Sequence, residues 1–305
     1  MSDCTDGILI IQRYNFLTEP TFRIGEWFKD NSDVSPLYLM TSCRPEHVDE
    51  KLYKEVHYLD TDPDSLIPVA TQLLANHGIT SIVTHYETDF IAAAKIRESF
   101  NVPGQSVQSA EAFRDKSIMK RLCQDAQIRV PKFKTFTTLG SLEATATSIL
   151  EYFNLPVVVK PIDGLGSSAT FLVYTESELK EGIRQSDDTF LVEELIEGDL
   201  FHVDGIVENN EVLFICASKY FGTTLNFLEG KAVGSHTLEQ TSELAKRLKQ
   251  FTYKVLSALP KPEKLTFHCE MFLTPANEMV FGEIASRPPR CFGSTSSQAR
   301  LSIQY

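Results

Sequence analysis

Residues 156–169 read PVVVKPIDGLGSSA. Val157, Val158 and Val159 show no alternation of apolar and polar positions, so a strand here is expected to be covered on both faces. Lys160 ends that run, and glycine and serine follow at once. An ammonium group at the end of a covered strand calls for nearby negative charge, so an anion beside Lys160 is the first expectation.

The chain has 305 residues and a net charge of -12, with 42% hydrophobic and 23% charged residues. Two or three packed units are expected at that length. The acidic balance argues against nucleic acid as a partner, while a small positive pocket for a phosphate-bearing molecule fits inside an acidic whole. The start, MSDCTDGILIIQRYN, lacks the basic opening and the length of a signal peptide, and no run approaches the ~20 apolar residues that cross a bilayer. A cytoplasmic protein with no membrane partner is the expectation. Cys4, Cys43, Cys123, Cys216, Cys269 and Cys291 are scattered without a CxxC pair, which points to reduced thiols, and the histidines show no HExxH spacing.

Up to about residue 105, short apolar runs (ILII, PLYLM, EVHYL, SIVTHY) alternate with segments of helical period, DSLIPVATQLLANHG and TDFIAAAKIRESF. That rhythm predicts a parallel sheet with covering helices. IIQRYNF follows the first strand where a dinucleotide-binding unit would carry glycines. After the turn-rich NVPGQSVQS, a helix is expected over AEAFRDKSIMKRLCQDAQ, with Lys116 and Lys120 one turn apart. Further strands are expected at KFKTFT, PVVVKP, ATFLVY, FHVDGIVE, EVLFICAS, LTFHCEMFL and EMVFGEIASR. A long helix is expected over TLEQTSELAKRLKQFTYKVLSAL.

GLGSSA, residues 164–169, fits the GxGxxA pattern, but the following TFLVY reads as a strand rather than a helix. A Walker A loop is excluded because no GK[ST] follows the glycines. Two readings stay open on these residues: a loop whose backbone N–H groups cover phosphates beside Lys160, or a surface hairpin whose lysine reaches water.

If Ala276 and Asn277 form a two-residue turn, Glu270 faces Glu283 across the last hairpin. Opposed carboxylates about 5 Å apart repel by roughly 3 kcal/mol at an effective dielectric near 20. A divalent cation between them converts that repulsion into attraction; the alternative is a solvated sheet face where the two diverge. VEELIEG, residues 192–198, fits either a solvated acidic turn or a hinge whose backbone meets an adenine edge, with Ile196 packing on the base.

In order, RDKSIMKRLCQDAQIRVPKF, LPVVVKPIDGLGSSATFLV, FLVEELIEGDLFHVDGIVENNEVLF and FHCEMFLTPANEMVFGEIASRP resemble the ATP-grasp superfamily, its carboxylate–amine ligases of amino-acid or dipeptide-forming type in particular. The resemblance implies an α/β protein: a parallel, Rossmann-like pre-ATP-grasp domain (1–108), then a two-lobed α+β ATP-grasp domain with a small lobe (109–188) and a large lobe (189–305) whose C-terminus is expected to be incomplete. It implies ATP and Mg2+ (or Mn2+) as cofactors, small-molecule carboxylate and amine substrates, and a homodimer as an assembly found among look-alikes.

By the same resemblance, Lys116 and Lys160 contact phosphates, Gly164, Gly166, Ser167 and Ser168 belong to the covering loop, and Glu193, Glu194 and Ile196 hold adenine. Glu270 and Glu283 ligate the metal, Lys160 and Arg287 act at the reacting phosphoryl group, and His202, Asp204 and Lys219 line the substrate site. The implied reaction is ADP-forming ligation through an acyl phosphate; a nucleotide-binding module without turnover is the alternative. Three departures stand out: Leu200 where many members carry a ribose-binding carboxylate, Ala285 where an asparagine is common, and RPPRCFGS where RPGG is usual.

Overall fold

The computed structural model describes residues 6–12, 35–42, 45, 48–60, 65–84, 86–138, 140–164, 169–221 and 234–289. Its first sheet contains β1 (Gly7–Gln12), β2 (Leu37–Thr41), β3 (Glu55–Tyr58) and β4 (Ile79–Thr84), in the order β3-β2-β1-β4 with every pairing parallel. Helices α1 (Leu66–Asn76) and α2 (Phe90–Phe100) cover it. Leu66, Ala70 and Leu73 of α1 and Ala92, Ala93 and Ile96 of α2 share one core with Leu9, Ile11 and Tyr38. Asn101 ends α2 in the left-handed region at φ 55.

The second sheet is antiparallel, ordered β5 (Phe133–Thr137), β8 (Thr189–Glu194), β6 (Val157–Pro161), β7 (Phe171–Val173). The 164–169 segment thus joins two strands of a hairpin, as its sequence context requires. Val157 and Val159 are sealed against α5 (Leu142–Leu150) and α6 (Glu176–Arg184) in a core with Ile149, Leu179, Ile183, Phe190 and Val192. A capping box between Thr175 and Glu178 starts α6. Cover on both faces is not what the structure shows: Val158 is half-buried, as is Lys160, which shares its face of the strand. The sequence reading assigns residues from 189 to the large lobe, yet β8 pairs on both sides within this second sheet, so in sheet terms the crossing lies at 195–198.

Five antiparallel strands form the third sheet: β11 (Gly234–Thr237), β10 (Glu211–Phe221), β9 (Asp199–Glu208), β12 (Lys264–Leu273) and β13 (Met279–Ala285), in that spatial order. One face is apolar. Phe201, Val203, Phe267, Cys269 and Met271 pack there against Ala245, Leu248, Val255 and Leu256 of α7 (Glu243–Ala258). Strand alternation sends His202, Asp204, His268 and Glu270 to the other face.

Two helices differ from expectation. The segment over 110–127 is two helices, α3 (Val107–Ala112) and α4 (Lys116–Asp125), because Asp115 caps a new start: its Oδ1 accepts from the backbone N–H of Ser117 at 2.7 Å and of Ile118 at 3.0 Å. Although numbered with the small lobe, α4 sends Met119 and Cys123 into the large-lobe core beside Phe281 and Ile284. The long helix begins at Glu243 rather than near 237, since Ser242 caps it and the Gln240 side-chain amide is engaged with β10, accepting from the Ala217 N–H and donating to its carbonyl. Cys123, Cys216 and Cys269 are free thiols. Among the described residues no helix is long and apolar enough to cross a membrane.

Candidate active site

Three lysines converge from two elements. Capping at Asp115 fixes Lys116 as the first residue of α4, and Lys120 follows one turn on. Lys116 Nζ donates to the carbonyl of Gly164 at 2.9 Å and lies 3.7 Å from Glu283 Oε2. Lys120 Nζ donates to the carbonyl of Gly282 at 2.5 Å and lies 3.3 Å from Glu193 Oε1. Helix α4 therefore bridges the loop stem and β8 on one side to β13 on the other. Lys160, from β6, places its Nζ 3.0 Å from the same Glu193 oxygen.

Burial dominates the electrostatics. It pushes the wholly buried Lys120 down to about 8, against the attraction of Glu193. Burial acts on Lys160 in the same sense, but Glu193, Glu283 and Glu270 together outweigh it and raise its pKa. Glu193, also disfavoured as an anion by burial, is held below its usual range by Lys120 and Lys160. Three lysines thus face the carboxylates of Glu193, Glu283 and Glu270 in one buried cluster.

Glu270 does pair with Glu283 across β12 and β13, though not through the expected turn. Three residues, Pro275 to Asn277, close the hairpin: Thr274 N–H donates to Glu278 O at 3.0 Å, and Asn277 takes φ 63. That shifts Met271 to Phe281, and a bulge at Gly282 returns the register so that Glu270 meets Glu283. A Cβ at Gly282 would stand 3.0 Å from the Glu270 carbonyl. Burial opposes ionisation of Glu283, but Lys116, Lys160, Lys120 and Arg287 overcome it and hold the carboxyl at about 2. Two opposed carboxylates form an oxygen donor set that suits a hard divalent cation.

Beside Glu270 lies a chain of polar groups on the same sheet face. Asp204 accepts from Nδ1 of both His202 and His268, each at 2.6 Å. His268 Nε2 is 3.1 Å from Glu270 Oε1, which also accepts from the Tyr220 hydroxyl at 2.7 Å. Despite burial, hydrogen bonds to Asp204 and Glu270 raise His268 to about 9, and the two histidines hold Asp204 at about 2. Lys219 sits apart from this chain, paired with Asp199 at 2.7 Å.

Arg287 follows β13 and lies near enough to Glu283 to depress its pKa. Its Nε is 2.9 Å from Glu87 Oε2, a close ion pair that lacks linear hydrogen-bond geometry. Glu194 points to the opposite face from Glu193; its Oε1 accepts from Arg129 at 2.7 Å and from the Lys132 N–H at 2.8 Å. With both side chains engaged, any adenine contact at the half-buried Ile196 hinge falls to backbone atoms. Gly166, Ser167 and Ser168 lie outside the described residues.

The sequence reading left Lys120, Glu87, Arg114, His268 and Tyr220 out of the site. Lys120 carried a usable signal, its spacing of one turn from Lys116. Alternation from Glu270 marks His268 as sharing its face, whereas Tyr220 and Glu87 reach the site only through tertiary packing.

A family model described as the ATP-grasp domain matches residues 113–265, just over half of the chain. An L-arginine-specific L-amino acid ligase from Bacillus subtilis is 25% identical over 238 residues, covering 74% of this chain and 56% of that protein. A D-alanine–D-alanine ligase A from Chromobacterium violaceum is 24% identical over 201 residues, covering 62% of this chain and 54% of its own length. The chain thus spans little more than half of these curated relatives. Among solved structures, an L-amino acid ligase from Bacillus licheniformis superposes with a TM-score of 0.76 at 20% identity, over 92% of this chain and 67% of that one. The VanG D-Ala:D-Ser ligase from Enterococcus faecalis gives 0.69 at 17% identity, over 92% and 90%. These likenesses agree with the mixed α/β architecture, and the chain belongs to the ATP-grasp family.

Proposed function

We propose that this chain is an ATP-dependent, ADP-forming ligase that joins a small carboxylic acid to an amine through an acyl phosphate. The supporting observation is the meeting of Lys116, Lys120 and Lys160 with the Glu270–Glu283 pair in one cluster. The cations match a triphosphate, and the carboxylates match its metal.

In this reading Lys116 and Lys160 hold phosphates, Gly164 to Ser168 cover them, and residues 193–196 receive adenine. Mg2+ (or Mn2+), held by Glu270 and Glu283, supplies charge neutralisation at phosphate oxygens. A substrate carboxylate oxygen attacks the γ-phosphorus as the bond to ADP breaks; Lys160 and Arg287 offset the charge spreading over the transferred group. The amine then attacks the acyl carbon, the C–N bond forms, and phosphate leaves with the C–O bond while the amine gives up a proton. His202 and Asp204 are assigned to the substrate side, and Lys219, which pairs with Asp199 and lies over the Phe201 ring on the other face of the sheet, is not. The parallel unit before residue 109 closes the site, and the small and large lobes divide the remainder. Small molecules rather than nucleic acid or membrane are the partners, in the cytoplasm, with a homodimer as the assembly.

ADP release measured across pairs of amino acids tests this. Release that needs both an acid and an amine is expected; tight MgATP binding without release for any pair would favour a nucleotide-binding module.

A further inference from the structure

Glu87 lies outside the matched family segment, in a short 3-10 helix between β4 and α2, and it is almost fully buried. Its carboxylate faces two guanidinium groups from elsewhere in the chain. Arg287 Nε is 2.9 Å from Oε2, and Arg114 Nη1 is 3.8 Å from Oε1. Arg114 in turn donates from Nη2 to the Asp163 carbonyl at 2.5 Å, one residue before the Gly164 carbonyl that Lys116 holds. One acidic side chain of the first unit therefore touches the arginine that follows β13 and, through Arg114, the stem of the 164–169 loop. Nearby, Ser286 Oγ donates to Gln105 Oε1 at 3.3 Å, a second link between the residues after β13 and the 101–106 connection.

Such a carboxylate has a definite physical task. Arg287 has Glu283 on one side and Glu87 on the other, and a flexible guanidinium with only the first partner would settle on the metal-binding carboxylate. With Nε held beside Glu87 and Nη1 donating to the Pro288 carbonyl at 2.9 Å, the plane of the guanidinium is fixed from two sides. Preorganised charge of this kind lowers a barrier because no reorientation is needed as charge develops.

We propose that Glu87 is a positioning residue that acts through Arg287, orienting it toward the transferred phosphoryl group. The inference rests on the proposed ligase reading, and it adds a residue of the first unit to the phosphoryl-transfer step. Nucleotide binding in the ground state should depend little on Glu87, since the lysines carry it. Transition-state binding should depend on it strongly.

The test compares the affinity of MgADP with that of MgADP plus aluminium fluoride, a phosphoryl-transfer mimic that needs no knowledge of the acid or amine. Wild-type protein, Glu87→Gln, Glu87→Asp, Arg287→Ala and the Glu87→Gln/Arg287→Ala double variant are measured. Glu87→Gln is expected to leave MgADP affinity within about twofold and to lose at least about tenfold of the gain from aluminium fluoride, which Glu87→Asp partly restores. In the Arg287→Ala background the Glu87 change should add nothing, because the two act as one unit. Additive losses, or a Glu87→Gln protein that keeps the full gain while Arg287→Ala loses it, would overturn the inference and leave the ligase reading intact. A wild-type protein that gains nothing from aluminium fluoride would defeat both.

Discussion

Glu270 stands opposite Glu283 because Gly282 is passed over by the strand pairing. The three-residue turn at Pro275 to Asn277 would otherwise leave the two carboxylates out of step, and the bulge restores them. Its carbonyl also receives Lys120 at 2.5 Å, so one glycine sets both the acid pair and a neighbouring cation.

Replacing Gly282 with valine should therefore damage the metal site more than the fold. A Cβ would meet the Glu270 carbonyl at 3.0 Å, and the strand must shift to relieve it. We expect a stability loss of about 1–3 kcal/mol, measured by urea unfolding, together with a weaker magnesium dependence of ATP binding. Normal magnesium dependence in a folded variant would separate the bulge from the acid pair.

Lys160→Ala removes a cation that burial alone would not tolerate and that three carboxylates keep charged. MgATP affinity should fall at least about tenfold by calorimetry, equivalent to about 1.4 kcal/mol. An unchanged affinity would take Lys160 out of the phosphate site.

Glu193 has a different task, since it neutralises Lys120 and Lys160 at 3.3 and 3.0 Å in a buried setting. Glu193→Leu removes the nearest counter-charge of both ammonium groups and should destabilise the protein by about 3–5 kcal/mol. A loss under about 1 kcal/mol would mean that water already reaches these lysines.

His268 gives the protein a pH dependence of defined sign. Its pKa is raised from 6.5 to about 9, so the stability it contributes is complete below pH 6.5 and is lost as pH rises through about 9. Between pH 6.5 and 8 the unfolding free energy should drop by about 2 kcal/mol more in the wild type than in His268→Asn. Equal slopes for the two proteins would show that Asp204 and Glu270 do not hold the imidazolium.

Much of this arrangement was legible in the residues, and for identifiable reasons. The apolar runs of the first unit read directly as β1 to β4, because a parallel sheet under helices needs little else to announce it. The Glu270–Glu283 pairing was read correctly from a turn that is wrong, two departures of one residue cancelling. Periodicity carried a helix straight through Asp115, whose capping hydrogen bonds outweigh the apolar pattern on either side. Full cover of Val157 to Val159 was over-read, since a hydrophobic run cannot distinguish a second packed layer from a half-buried face. Glu87 was invisible, as its partners lie 27 and 200 positions further along the chain.

Calorimetric titration of ATP into the wild type and into Glu270→Gln/Glu283→Gln, each with saturating Mg2+ and with EDTA, tests the acid pair most directly. The wild type should bind at least about tenfold more tightly with Mg2+ than without, and the double variant should lose that difference while keeping its metal-free affinity. Equal magnesium enhancement in both proteins would contradict the assignment of these two carboxylates as the seat of the metal.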